Sequence, residues 1–154
     1  MIPEHLRPVE RNSDEIHAAL QEAGWGEDVA ESHIDELINR FGFFAAPQGC
    51  AICTEGDQGD FIGLVVSGRL RVSKQDDFGS ARGLASLGAG MSFGEMAFVD
   101  GRLRSASITA AEDSELLLLS REDFDRLAEK RPALAVELLL QLIRHLSSRL
   151  RQTT

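Results

Sequence analysis

Basic residues are in short supply in this chain: 16 lysines and arginines stand against 25 aspartates and glutamates, for a formal net charge of −9. Nucleic-acid binding rests on clustered cations that neutralise backbone phosphates, so this balance argues against direct DNA binding. Long apolar runs are missing as well, and none approaches the roughly 18 residues of a membrane span. The opening Met1-Ile2-Pro3-Glu4-His5 has neither the basic nor the long apolar region of a signal peptide. The expectation is a soluble, cytoplasmic chain without membrane insertion. Cysteine occurs only as Cys50 and Cys53. This C-x-x-C falls in a short predicted strand after the Pro47-Gln48-Gly49 turn, where residues three apart point to opposite faces and cannot readily share a metal or close a disulfide. A zinc site would need a second ligand pair, and His5, His17, His33 and His145 have no ligand spacing with the cysteines. Catalytic equipment is equally thin, with no His/Asp cluster, no Walker-type Gly-Lys-Ser/Thr and no Ser or Cys paired with a histidine. No catalytic residue, metal ligand or cofactor is therefore assigned, and a phosphate-cleaving or phosphate-transferring enzyme is disfavoured.

What remains is ample for one globular core: 154 residues, 43% of them hydrophobic. Residues 1–42 read as an N-terminal helical segment. Ser13 is placed as the cap of a helix over Asp14 to Gln21, Gly24 and Gly26 bracket Trp25, and Glu27 to Arg40 carries Val29, Ala30, Ile34, Leu37 and Ile38 at helical spacing, with Phe41 following. Residues 43–119 change texture to short apolar runs punctuated by glycine: Ala51 to Thr54, Phe61 to Ser67, Arg69 to Gln75, Arg82 to Leu87, Ser105 to Ala111 and Glu115 to Leu119. Such spacing predicts antiparallel strands in a barrel or sandwich. Leu70 and Val72 alternate with Arg69, Arg71 and Ser73, the mark of one buried and one wet face, and Asp76-Asp77-Phe78-Gly79-Ser80 supplies a hairpin turn.

Residues 120–154 return to helix. Ser120 is a good N-cap ahead of Phe124, Leu127 and Ala128, and Pro132 opens the next helix, where its missing N–H is harmless. That last helix is apolar around most of its circumference, from Leu134 to Leu150, with Glu137, Gln141, Arg144 and Ser148 as its one clear polar line. It must pack against two things. One is its own β region; the other is the same helix of a second subunit, the N-terminal helices, or a further domain.

The most informative stretch is Phe93-Gly94-Glu95-Met96-Ala97-Phe98-Val99-Asp100-Gly101-Arg102-Leu103-Arg104-Ser105-Ala106. Gly94 permits close backbone approach, the short helix after it offers the N–H groups of Glu95, Met96 and Ala97, and Arg104 returns a planar cationic fork suited to the two exocyclic oxygens of a phosphodiester. Ser105 adds a hydroxyl and an N–H, and Ala106 is small enough for a phosphate to sit close. Glu95 beside a phosphate is repulsive unless it accepts from something else, and a ribose hydroxyl is the natural donor.

This stretch resembles the phosphate-binding cassette of cyclic nucleotide-binding domains: Phe-Gly-Glu, a small or apolar run, then Arg followed by two small residues. Upstream, Gly49, Glu55-Gly56-Asp57, Ser67-Gly68 and Leu87-Gly88-Ala89-Gly90 resemble the family's strand-and-turn glycines in order, so the likeness covers roughly residues 41 to 150. The resemblance implies a mainly β fold with flanking α. That fold is an antiparallel double-stranded β-helix, or jelly-roll-like β roll, with N-terminal helices, a short cassette helix and two C-terminal helices. It implies a regulatory sensor module whose ligand, cAMP or cGMP, shifts the final helix and so alters a partner domain or a homodimer interface. Leu84 and Ala85 are implied as pocket wall, and Arg144, His145, Ser148 and Arg149 as candidates for contact with the base. Ser105 fits either nucleotide; the Arg104-Ser105 pair resembles bacterial cAMP regulators and favours cAMP. In those regulators a helix-turn-helix domain follows the last helix, whereas this chain stops at Thr154, as a stand-alone receptor or as part of a larger transporter or enzyme. A β-roll scaffold that binds no nucleotide is the alternative.

Overall fold

The computed structural model describes residues 2–25 and 29–153. Two antiparallel sheets form the roll. The five-stranded sheet has the order β1 (Arg7–Pro8), β2 (Gly42–Ala46), β9 (Ser114–Ser120), β4 (Phe61–Ser67), β7 (Ser92–Phe93). The four-stranded sheet has the order β3 (Ala51–Cys53), β8 (Ser107–Ala110), β5 (Leu70–Gln75), β6 (Ala81–Leu87). The helices are α1 (Ser13–Glu22), α2 (Glu31–Ile38), α3 (Glu95–Asp100), α4 (Arg121–Lys130) and α5 (Pro132–Thr153). The expected β roll with flanking helices and a short cassette helix is the architecture found.

The two central strands explain why their sequences read as continuous apolar runs. On β4, Phe61 and Val65 face the core between the sheets while Ile62, Leu64 and Val66 face the helices. On β9, Leu116 and Leu118 point inward between the sheets and Leu117 and Leu119 point to the helices. Period-two alternation thus sorts one hydrophobic stretch into two cores, and both faces of these strands are covered. β5, an inner strand of the four-stranded sheet, has one wet face, with Leu70 buried beside exposed Arg71.

Several local expectations are corrected. Asn12, not Ser13, caps α1: its side chain accepts the Asp14 N–H at 2.8 Å, while Ser13 Oγ donates to Asn39. The second helix begins at Glu31, because Ala30 is extended (φ −58°, ψ 138°). Gly26, Glu27 and Asp28 lie outside the described residues. Strands β1, β2 and β7 carry too weak a local signal to be read from sequence, since β1 and β7 are two residues long and exist by pairing with β2 and β4. A register shift between Ala51 and Cys53 breaks the alternation on β3, so Ile52 and Cys53 are both buried and Cys50 packs against the same inter-sheet core. The opposite-face argument fails there, although both cysteines are free thiols.

Ser120 does cap α4, accepting the Asp123 N–H at 3.1 Å, and Pro132 does open α5. Leu134, Ala135, Leu138 and Leu142 of α5 share a core with Ile16, Leu20, Trp25, Ile34, Leu37 and Ile38, so the N-terminal helices cover one face of it. His33 Nδ1 meets Glu137 at 2.8 Å and Arg131 pairs with Glu36 along the same seam. Gln141 is buried and interrupts the polar line read from the sequence. Val136, Leu140, Ile143 and Leu150 remain exposed.

Candidate functional site

Gly94 ends β7 and starts α3 at φ +81°, a conformation natural only to glycine. A side chain here is excluded twice over, since a Cβ would lie 2.6 Å from Arg104 Nη1 and 3.1 Å from the Phe61 carbonyl oxygen. The strand before it is pinned by a different close fit, with the Phe93 ring filling the space where Gly63 lacks a Cβ. The first α3 bond runs from the Phe98 N–H to the Gly94 carbonyl, so helix geometry leaves the N–H groups of Glu95, Met96 and Ala97 without an intrahelical acceptor.

Arg104 is 6% exposed. Its Nη1 donates to the Gly94 carbonyl at 3.1 Å, its Nη2 to the Phe61 carbonyl at 2.8 Å, and its guanidinium lies 4.6 Å from the Phe61 ring centroid. Its backbone is fixed from both sides by Asp57 and Gly56. Among the described residues no carboxylate is within ion-pair reach of it, so a buried cation is held by carbonyls and a ring alone. The surface salt bridge to Asp100 or Glu112, the plain structural role for such an arginine, is not formed.

These residues wall an open cleft, lined on the cassette side by Gly94, Glu95, Met96, Ala97, Arg104, Ser105 and Ala106. The sequence-predicted cassette residues therefore converge on one cavity. The opposite wall differs from expectation. Val72, Leu87 and Ile108 line it, whereas Leu84 and Ala85 are exposed and outside the lining, because β6 is an edge strand on which only Leu87 turns inward. The alternation of Leu70 and Val72 puts Val72 on the inward face of β5, without marking it as a site residue. Cys53 also lines the cleft; burial pushes its thiol up to about 11, which makes it an inert wall rather than a nucleophile.

Of the four residues proposed for the base, Arg149 reaches the cleft, donating from Nη1 to the Ser92 carbonyl at 2.9 Å and to Glu95 Oε1 at 3.4 Å. It meets the Glu95 carboxylate of the cassette, a placement that residue spacing could not reveal across 54 positions. His145, one turn earlier, is half-buried against the Gly90 backbone; burial and the Arg149 charge lower its pKa, against weaker opposing effects of Glu95 and Gly90. Arg144 and Ser148 are exposed on α5 and outside the lining. Among the described residues no three metal-ligating side chains gather, and no helix is long and apolar enough to cross a membrane.

Comparisons with known proteins agree with this geometry. The family model described as Cyclic nucleotide-binding domain matches residues 44–131. The chain is 41% identical to the Cyclic AMP receptor protein of Thermus thermophilus over 77% of its own length and 55% of that protein. It is 39% identical to a cyclic nucleotide-gated potassium channel of Rhizobium etli over 58% of its length and 23% of the channel. It thus spans about half, or less, of the curated relatives it matches. A solved cyclic nucleotide-binding domain from Methylobacillus flagellatus superposes with a TM-score of 0.79 at 31% identity, covering 91% of this chain and 79% of that one. The glycine-pinned cassette, the buried arginine and these matches lead to one statement: the chain belongs to the cyclic nucleotide-binding domain family.

Proposed function

We propose that the chain is a sensor module that captures a cyclic nucleotide without turning it over, with cAMP favoured over cGMP. The observation that carries the proposal is Arg104. Burying a guanidinium costs several kcal/mol unless an anion compensates it, and no carboxylate does so among the described residues. A cyclic phosphate entering beside Gly94 supplies that anion, bridging the fork of Arg104 and the free N–H groups of Glu95 to Ala97. Ser105 and Ala106 close around it. Glu95 accepts the ribose 2′-OH, and Arg149 neutralises the same carboxylate so that it does not repel the phosphate. Counting Arg104 and Arg149 against Glu95, the charged residues of the lining leave one net positive charge for one phosphate negative charge.

Arg149 on α5 lines the cleft, and His145 lies one turn earlier on the same helix. We assign the base to this part of α5, and output to movement of α5 relative to a partner domain or a second subunit. The preference for cAMP is supported by the Arg104-Ser105 pair and by likeness to a protein named for cyclic AMP; a relative at 30% identity is a cGMP-dependent protein kinase of Caenorhabditis briggsae. The domain limits 1–42, 43–119 and 120–154, and action in the cytoplasm, belong to the same proposal.

Titration calorimetry with cAMP and cGMP tests it. The intact chain binds cAMP more tightly, and Arg104→Ala loses roughly 2 to 5 kcal/mol, about 30-fold or more in affinity. Unchanged affinity in that variant removes Arg104 from the site, a cGMP preference reverses the ligand assignment, and absence of binding to both nucleotides leaves a β-roll scaffold.

A further inference from the structure

The cassette and α4 meet around one side chain that lies outside the cleft lining, that of Arg121. Arg121, first residue of α4, donates from Nη1 to the Phe98 carbonyl in the last turn of α3 at 2.9 Å. Its guanidinium carbon lies 5.2 Å from the Phe98 ring centroid and 6.0 Å from that of Phe124. Those two rings meet edge to face at 5.5 Å, and Asp125 holds the Arg121 Nε at 3.1 Å. A second contact arrives by another route, as the Arg121 backbone N–H donates to the Asp60 carbonyl at 2.8 Å. The neighbouring Gly59 is pressed against the cassette so tightly that a Cβ would sit 2.2 Å from Ala97 Cβ and 3.1 Å from the Arg104 guanidinium. Both paths from the ligand-facing residues, Ala97 to Phe98 within α3 and Arg104 to Gly59 to Asp60 through the loop, end on Arg121.

We infer that Arg121 is the positioning residue that hands the state of the cassette to α4 and thence to α5. The inference rests on the proposed nucleotide binding at Gly94 to Ala97 and Arg104. An Arg is required rather than any cation, because one planar group bridges a carbonyl, a carboxylate and two ring faces together, which an ammonium cannot do. Displacement of Phe98 by a ligand on the first turn of α3 moves the acceptor of this bridge, and α4 moves with it.

The test pairs affinity with amide hydrogen exchange on the full chain. In the intact protein cAMP slows exchange across α3 and also across α4 and α5. Arg121→Gln, and equally Arg121→Lys, binds cAMP within about threefold of the intact chain, since Arg121 does not line the cleft. In both variants protection of α3 persists, while the cAMP-dependent change in α4 and α5 falls by about half or more. A change in α4 and α5 that matches the intact protein in both variants overturns the inference and leaves the binding proposal standing. An intact chain that binds no cyclic nucleotide sinks both. Loss of affinity in parallel with loss of protection assigns Arg121 to the integrity of the site and overturns its role as a relay.

Discussion

Glu95 and His145 are the residues at which single substitutions test the site most directly. The Glu95 side chain is 7% exposed and its ion pair with Arg149 runs through Oε1 at 3.4 Å, so the proposed ribose hydroxyl is assigned to Oε2. A hydrogen bond to a charged acceptor is about twice as strong as one to a neutral acceptor. The intact chain is therefore expected to prefer cAMP over 2′-deoxy-cAMP by roughly tenfold, and Glu95→Gln to shrink that ratio; calorimetry with both ligands measures it, and an unchanged ratio assigns the 2′-OH to another group. His145 gives a pH prediction. Its pKa in the folded chain is lowered, mainly by burial and then by Arg149, so the unfolded chain binds more protons between the two pKa values. The neutral imidazole's contribution is complete above the unfolded value near 6.5 and is lost as pH falls through the folded one. Urea midpoints should therefore drop on acidification below about pH 6.5, and less so in His145→Asn; equal slopes in the two proteins would refute the assignment.

At the scale of elements, local signals worked where the chemistry is local. The run Phe61 to Ser67 is β4 itself, Ser120 caps α4, and Gly49, Gly56, Gly68, Gly90 and Gly94 take positive φ where turns and the cassette require it. Ser120→Ala is expected to cost about 1 kcal/mol in urea denaturation, because the Asp123 N–H loses its acceptor. An unchanged midpoint would mean that α4 is held by Phe124 and Leu127 packing alone. Pairing that depends on a distant strand was not legible. Gly42–Ala46 becomes β2 because Phe43 and Phe44 meet Leu117 and Leu116, and no residue within the segment announces this partner. Likewise, Leu84 is apolar and within a strand, yet on the edge strand β6 it is exposed.

For the whole molecule the open question is what covers the outer face of α5. Val136, Leu140, Ile143 and Leu150 are 54%, 44%, 58% and 67% exposed, and with Ser147 they recur at alternating intervals of four and three residues. That is the 3.5-residue period of a two-helix seam, which fits the proposed homodimer through this helix. Sedimentation velocity should show a dimer for the intact chain and a monomer for Ile143→Glu, since a charge at the seam is desolvated without a partner. A monomeric intact chain would hand this face to another domain of a longer protein.

The cassette could be read directly from residue types because its chemistry needs a glycine, a carboxylate and an arginine at close, fixed intervals on one stretch of chain. From these came the expectation of an anion site, while the β-roll expectation came from the family resemblance together with the spacing of short apolar runs and glycines. Only the tertiary structure decided that Arg104 is buried without a carboxylate partner among the described residues, that Arg149 meets Glu95, and that Val72 and Leu87 rather than Leu84 and Ala85 wall the cleft. Local spacing fixes which way a side chain points on its own strand or helix; which distant segment it then meets is set by how the sheets and helices pack.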